Sequence, residues 1–146
     1  MKKIVITSGY WNPLHSGHIN LFCEAKKIGD ILVVVVNNDQ QVKLKGSFPF
    51  MSESERIEII KALKYVDEVV LAVDTDASVA KTLEMIALKY PEDLYFAKGG
   101  DRHSGNIPKR ETEVCEKYGI KIINGVGGDK VQSSSWLIKN AKASSS

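Results

Sequence analysis

Apolar and polar positions alternate along the chain in blocks that switch between two periods. Ile4-Val5-Ile6-Thr7 is a short β-branched run closed by Ser8-Gly9, the mark of a buried strand. Behind it, Leu14, Ile19, Phe22, Cys23 and Ala25 recur at roughly helical spacing, which predicts a helix from about Leu14 to Ile28 stopped at Gly29. Ile31 to Val36 is an unbroken aliphatic run between Asp30 and Asn37. A strand apolar on both faces belongs in a sheet covered on both sides, which favours parallel α/β architecture. Asn38 to Met51 carries lysines, Gly46 and Pro49 and reads as a long loop. Ser52 with Glu55 three residues on forms a capping-box pattern for a helix to about Tyr65, with Ile57, Ile60, Ala62 and Leu63 inward. Val69 to Val73, Leu94 to Ala97 and Ile120 to Ile123 read as further strands, and Val79 to Tyr90 and Pro108 to Tyr118 as further helices. A glycine-rich loop, Gly125 to Asp129, leads to Ser133-Ser134-Ser135 and a last helix through about Ala141. Five strands alternating with helices give an open parallel sheet with helices on both faces. No repeat or linker divides residues 1–143, so one domain is expected, with 144–146 a frayed tail.

Composition narrows the function classes. The chain has 146 residues, 43% apolar and 26% charged, with 20 Lys and Arg against 18 Asp and Glu for a net charge of +2. Such a balance supplies no global basic field for nucleic acid. No apolar run is long enough for a membrane span, and no secretory leader follows Met1-Lys2-Lys3. Cys23 and Cys115 form neither a disulfide framework nor a zinc pair. A soluble, cytoplasmic protein without nucleic-acid or membrane partners is expected.

The chemistry collects where strands end. In such sheets ligands bind beyond the carboxyl ends of the strands. The first strand's exit reads Gly9-Tyr10-Trp11-Asn12-Pro13-Leu14-His15-Ser16-Gly17-His18. His15 and His18 are three residues apart and share one helix face. In the first turn, free backbone N–H groups and the helix dipole favour an anion. Gly17 between them allows a ligand to approach the backbone. Two imidazoles at a helix start make a phosphate cradle whose donors stabilise charge growing in a transition state. The competing readings are two surface histidines or a two-histidine metal site, which has no third ligand nearby. No GxGxxG follows the first strand and no GxxxxGK[ST] occurs, so dinucleotide and P-loop chemistry are disfavoured.

The stretch resembles the HxGH pattern of the cytidylyltransferase-like nucleotidyltransferases, on Gly9, Trp11, Asn12 and His15-Ser16-Gly17-His18. Lys45 is similar to that family's mobile-loop lysine, ahead of the helix carrying Glu55-Arg56. Phe96-Ala97-Lys98-Gly99-Gly100-Asp101 resembles its fourth-strand segment, and Ser133-Ser134-Ser135 its last-helix triplet. The resemblance covers nearly the whole chain and implies a Rossmann-like fold, often dimeric. It implies transfer of a nucleoside monophosphate from a triphosphate to a phosphorylated small molecule, with release of pyrophosphate. His15, His18 and Lys45 are then the catalytic set. Thr7, Gly9, Tyr10, Trp11, Gly17, Lys98, Gly100, Asp101, Ser133, Ser134 and Ser135 become candidate nucleotide contacts. Arg56 is a candidate phosphate contact or pairs with a carboxylate on its own helix. Mg2+ would accompany the triphosphate, and a homodimer is expected. Lys98-Gly99-Gly100-Asp101 is most similar to heptose 1-phosphate adenylyltransferases. The glycerol-3-phosphate cytidylyltransferases and the nicotinamide mononucleotide adenylyltransferases share the plan. The former usually carry an arginine where Gly128-Asp129-Lys130-Val131 stands here, which tips the reading towards ATP over CTP. A nucleotide-binding sensor without turnover is the non-enzymatic alternative.

Overall fold

A computed structural model describes residues 2–99 and 107–127 of the chain. Its elements run β1 (Lys3–Gly9), α1 (Ser16–Ile28), β2 (Ile31–Val36), α2 (Asp39–Leu44), α3 (Glu53–Lys61), β3 (Glu68–Leu71), α4 (Ala80–Lys89), β4 (Asp93–Gly99), α5 (Lys109–Tyr118) and β5 (Lys121–Val126). The five strands form one parallel sheet in the order β3-β2-β1-β4-β5. The order reverses direction at β1, so a crevice opens between the carboxyl ends of β1 and β4, the position where such sheets bind ligands.

Helices cover both faces, as the two-sided apolar run of β2 requires. Ile4, Ile6, Val33, Val35 and Phe96 pack with Leu83 and Ile86 of α4 and Cys115 of α5. Val5, Leu32, Val34, Val36 and Ala97 pack with Phe22 and Ala25 of α1 and Ile60 of α3. Consecutive strand residues thus feed opposite cores, the period of two expected of a pleated strand. Leu32 to Val36 are fully buried. Each such aliphatic side chain contributes about 1.5–3 kcal/mol relative to exposure, an upper bound set by an extended unfolded reference. This strand flanks β1, the central strand, and meets the crevice through Val35 O, which holds the Trp11 indole.

Several predicted boundaries change; β3 ends at Leu71 instead of Val73, and β5 extends to Val126 through Gly125, into the expected loop. The segment read as a loop from Asn38 contains α2. Asn38 Oδ1 accepts from Gln41 N at 2.8 Å, and Gln41 Oε1 accepts from Asn38 N at 3.0 Å, a reciprocal cap. The element escapes a hydrophobic-period reading because its buried face includes Gln41, a fully enclosed amide. Gln41 Nε2 donates to Asp76 O and Ser78 O at 2.8 and 2.9 Å, tying α2 to the segment before α4. Helix α3 ends at Lys61, short of Tyr65, because Ala62 and Leu63 donate to carbonyls three residues back and tighten the turn. Ala62, expected inward, is therefore exposed. Helix α1 starts at Ser16, two residues after Leu14, with His15 as its N-cap. Ile19, expected inward on α1, is exposed, while Phe22 and Ala25 carry the burial.

At the far end of the crevice the β4–β5 register shifts. Ala97 pairs with Ile123 and Gly99 with Val126, so β5 carries one residue more than β4 over this step. Gly125 accommodates it at φ 71, the left-handed region open to glycine.

Candidate active site

The crevice between β1 and β4 is a cleft of about 380 Å³ lined by Gly9, Tyr10 and Trp11 from the β1 exit, His18 from α1, Lys45 from the end of α2 and Lys98 and Gly99 from β4. Residues widely spaced in sequence converge there because strand ends and helix starts meet on one edge of the sheet.

The β1 exit is built around Trp11. Its indole is 4% exposed, and Nε1 donates to Val35 O at 3.0 Å. Its ring meets His18 and Phe22 edge-on, each with centroids 4.9 Å apart. Gly9 leaves room for it: a Cβ there would lie 2.7–2.8 Å from three indole atoms. The Gly-x-Trp spacing is thus a packing requirement, in which the missing side chain of Gly9 admits the ring that backs His18. Asn12 then reaches across to the loop before α3, donating to Phe48 O at 2.9 Å and accepting from Met51 N at 3.2 Å.

The two imidazoles stack, with centroids 3.7 Å apart and planes at 27°. His15 Nδ1 accepts from Gly17 N at 3.1 Å, and His18 Nδ1 accepts from His15 N at 3.2 Å. A ring nitrogen that accepts carries no proton, so each neutral ring holds its proton on Nε2 and offers it as a donor. Burial lowers the His15 pKa. His18 is lowered to about 4, first by burial and then by the neighbouring His15. The pair is therefore neutral near pH 7 in the free protein. One expectation is corrected: the N–H of Gly17 is not free for an anion, because His15 caps it. His18 lines the cleft, while His15 borders a neighbouring apolar groove with Leu14, Ser16, Ile19, Ile59 and Leu63.

Lys45 caps the end of α2 and holds its ammonium 4.3 Å from the Tyr10 ring centroid, at the rim of the cleft. Lys98 lies deeper. It is 6% exposed, 4.0 Å from the Phe96 ring centroid, and its Nζ donates to Glu111 Oε1 at 3.2 Å. Thr7 is buried in β1 one residue short of the cleft lining, on the α1/α3 side of the sheet with Val5.

Arg56 corrects a sequence expectation. Its side chain is completely buried, and its guanidinium donates to Tyr10 O and Asn37 O at 2.6 Å each, to Met51 O at 3.1 Å and to Asp39 Oδ1 at 2.7 Å. The carboxylate it pairs with belongs to α2, not to its own helix. All these donors are directed at the protein, so Arg56 fastens the ends of β1 and β2 to α2 and α3 instead of facing a ligand. Gly100, Asp101, Ser133, Ser134 and Ser135 lie outside the described residues.

Sequence reasoning also missed cleft residues. Asn37, which directly follows β2, was legible from its place at the carboxyl edge of the sheet. Glu111 had no such signal, because its spacing from Lys98 carries no motif. Among the described residues no group of three or more His, Cys, Asp or Glu could hold a metal ion. The imidazole, ammonium and amide donors of the described cleft suit phosphate oxygens, and its carboxylate, Glu111, is engaged by Lys98 and Val79 N, so these residues fit a magnesium ion carried by the phosphates. Among the described residues no helix is long and apolar enough to cross a membrane.

A family model described as cytidylyltransferase-like matches residues 6–144. The chain belongs to the cytidylyltransferase-like family. This nucleotidyltransferase-family domain is 37% identical over 124 residues to bifunctional protein HldE of Desulfatibacillum aliphaticivorans, covering 84% of this chain and 24% of that protein. It is 40% identical over 121 residues to an FAD synthase of Ferroglobus placidus, covering 83% of this chain and 72% of that one. The chain thus spans about a quarter of the HldE relatives it matches. A crystal structure of the lipopolysaccharide core biosynthesis protein from Thermoplasma volcanium superposes with a TM-score of 0.67 at 30% identity, covering 85% of this chain and 96% of that one.

Proposed function

We propose that this family member transfers a nucleoside monophosphate, AMP from ATP in preference to CMP from CTP, to a phosphorylated small molecule, releasing pyrophosphate. The acceptor we favour is a sugar phosphate of the heptose 1-phosphate kind. The observation that carries the reading is the imidazole pair. Both Nδ1 atoms are occupied by backbone N–H groups, which leaves two Nε2–H donors on neutral rings at a helix start, beside a cleft that also holds Lys45 and Lys98.

In this reading an oxygen of the acceptor's phosphate attacks the α-phosphorus, and the bond to the β-phosphate oxygen breaks to release pyrophosphate. The protein performs little covalent chemistry in such a step; alignment and compensation of phosphate charge dominate. Neutral imidazoles donate without competing for solvent ions beforehand, and their hydrogen bonds strengthen as charge accumulates. Lys45 at the rim closes over the phosphates from the end of α2. Mg2+ enters with the triphosphate, held by its oxygens. Ser133, Ser134, Ser135, Gly100 and Asp101 complete the nucleotide contacts.

The relatives support the preference for ATP: FAD synthase by its name forms an adenine dinucleotide, and the match to HldE extends over most of this chain. The heptose acceptor rests on the Lys98-Gly99-Gly100-Asp101 segment. A homodimer is part of the same proposal, checked by sedimentation velocity, in which a monomer would contradict it. The catalytic proposal is tested by incubating the protein with ATP or CTP and a panel of phosphorylated sugars and alcohols, FMN included, while following pyrophosphate. Release that needs both ATP and a sugar phosphate is expected. Turnover of FMN alone would transfer the reading to the FAD synthase type, and nucleotide binding without release would favour a sensor.

A further inference from the structure

One carboxylate stands where an anion cleft should least tolerate it. Glu111, in the first turn of α5, lines the cleft and is 3% exposed. Its Oε2 accepts from Val79 N at 2.9 Å, immediately before α4, and its Oε1 accepts from Lys98 Nζ at 3.2 Å, near the end of β4. Three elements therefore meet on one side chain. A buried carboxylate repels phosphate, so its presence needs a compensating effect. Lys98 supplies one: burial disfavours the charged form of an amine, and an opposing carboxylate restores it.

We propose that Glu111 is a positioning residue that keeps the Lys98 ammonium charged and fixed on the cleft floor, where it meets a substrate phosphate. The proposal rests on reading the cleft as a phosphate site. Among the described residues, the titratable groups around Lys98 are Glu111 and Cys115 from α5, Tyr10 from the β1 exit, His18 from α1 and Lys45 from the end of α2, whereas α4 contributes the Val79 N–H through Glu111. Burial pushes the Cys115 thiol up to about 11, and His18 is lowered to about 4, so neither changes charge between pH 7 and pH 9.5. Lys45 and Tyr10 are common to every protein compared.

The test is calorimetric titration of inorganic tripolyphosphate from about pH 7 to about pH 9.5 with wild type, Glu111→Gln and Glu111→Gln/Lys98→Arg. Glutamine still offers an oxygen to Val79 N–H, so the α4 contact is retained. Changes shared by all three proteins belong to the ligand, to Lys45 and to Tyr10. Beyond these, Glu111→Gln should lose about a further tenfold in affinity as the pH rises, the worth of one charge-assisted hydrogen bond. The double variant should follow wild type, because an arginine cannot lose its proton in this range. A pH profile of Glu111→Gln parallel to wild type overturns the proposal, as does an unrescued loss in the double variant. Wild type that takes up no tripolyphosphate overturns the phosphate reading of the cleft, and the proposal with it. If Glu111→Gln does not fold, NMR of the Lys98 ε-carbon in wild type decides, assigned with Lys98→Arg. A midpoint at or above the ordinary lysine value supports the proposal, and one clearly below it overturns it.

Discussion

Replacing Gly9 by alanine probes the link between strand packing and the imidazole pair. The new methyl carbon would lie 2.7 Å from one indole carbon of Trp11 and 2.8 Å from two other ring carbons. Ordinary contact begins near 3.4 Å, so the ring must retreat by roughly 0.7 Å. It has little room to do so. Trp11 is held by the hydrogen bond to Val35 O and flanked by His18 and Phe22. Overpacking of this kind costs about 1–3 kcal/mol. If the ring moves instead, it loses a hydrogen bond worth about 1 kcal/mol and displaces His18. Misplacing a reacting group by about 1 Å can cost on the order of a hundredfold in rate. Urea denaturation and pyrophosphate release, measured on the same preparations, read both effects. Trp11→Phe supplies the control, because a smaller ring opens the space. The Gly9→Ala cost should shrink by about 1 kcal/mol or more in that background, a coupling typical of residues in contact. Gly9→Ala within about 0.5 kcal/mol of wild type with normal turnover would refute the reasoning. So would an equal cost in both backgrounds.

Arg56→Met leaves the carbonyls of Tyr10, Asn37 and Met51 without their donor and should destabilise the fold by about 3–5 kcal/mol in urea melts, whereas a ligand-facing arginine would affect turnover more than stability. His18 makes stability pH-dependent. Its folded pKa lies below the unfolded value of 6.5, so the unfolded chain binds the extra proton first, and stability falls as pH drops from 6.5 towards 4. His18→Gln should flatten that part of the stability profile, and NMR titration should place the His18 midpoint near 4. Lys45→Ala should alter stability by less than about 0.5 kcal/mol, as expected at an exposed helix end, while lowering turnover at least tenfold.

How much of this was legible depended on whether a local pattern carried the physics. The all-aliphatic stretch from Ile31 to Val36 announced a strand covered on both faces, and with it the parallel sheet and the place of the cleft. The Ser52 cap of α3 was readable because its acceptor and its donor, Glu55 N, lie three residues apart. Helix α2 was not, because a buried glutamine replaces the apolar face that periodicity detects. The spacing of His15 and His18 announced a shared face, yet the capping that fixes their tautomers appears only once His15 is seen at the helix boundary. Arg56 was ambiguous for a related reason: besides Asp39 of α2, its partners are carbonyls at Tyr10, Asn37 and Met51, and carbonyls leave no trace in a sequence. Glu111 was invisible because its contacts, Val79 N and Lys98, come from a separate loop and strand. Arg56 and Glu111 stayed illegible because the fold brings their partners together from distant stretches of the chain.

The central claim is that the neutral His15–His18 pair carries phosphate charge in nucleotidyl transfer. Its most direct test is the rate of pyrophosphate release, with the preferred nucleotide and acceptor at saturation, in wild type and in His18→Ala, with folding checked by circular dichroism. The account predicts a loss of about a hundredfold or more, the usual worth of a donor aimed at transition-state charge, in a folded protein. A folded His18→Ala variant that turns over within about twofold of wild type would contradict it.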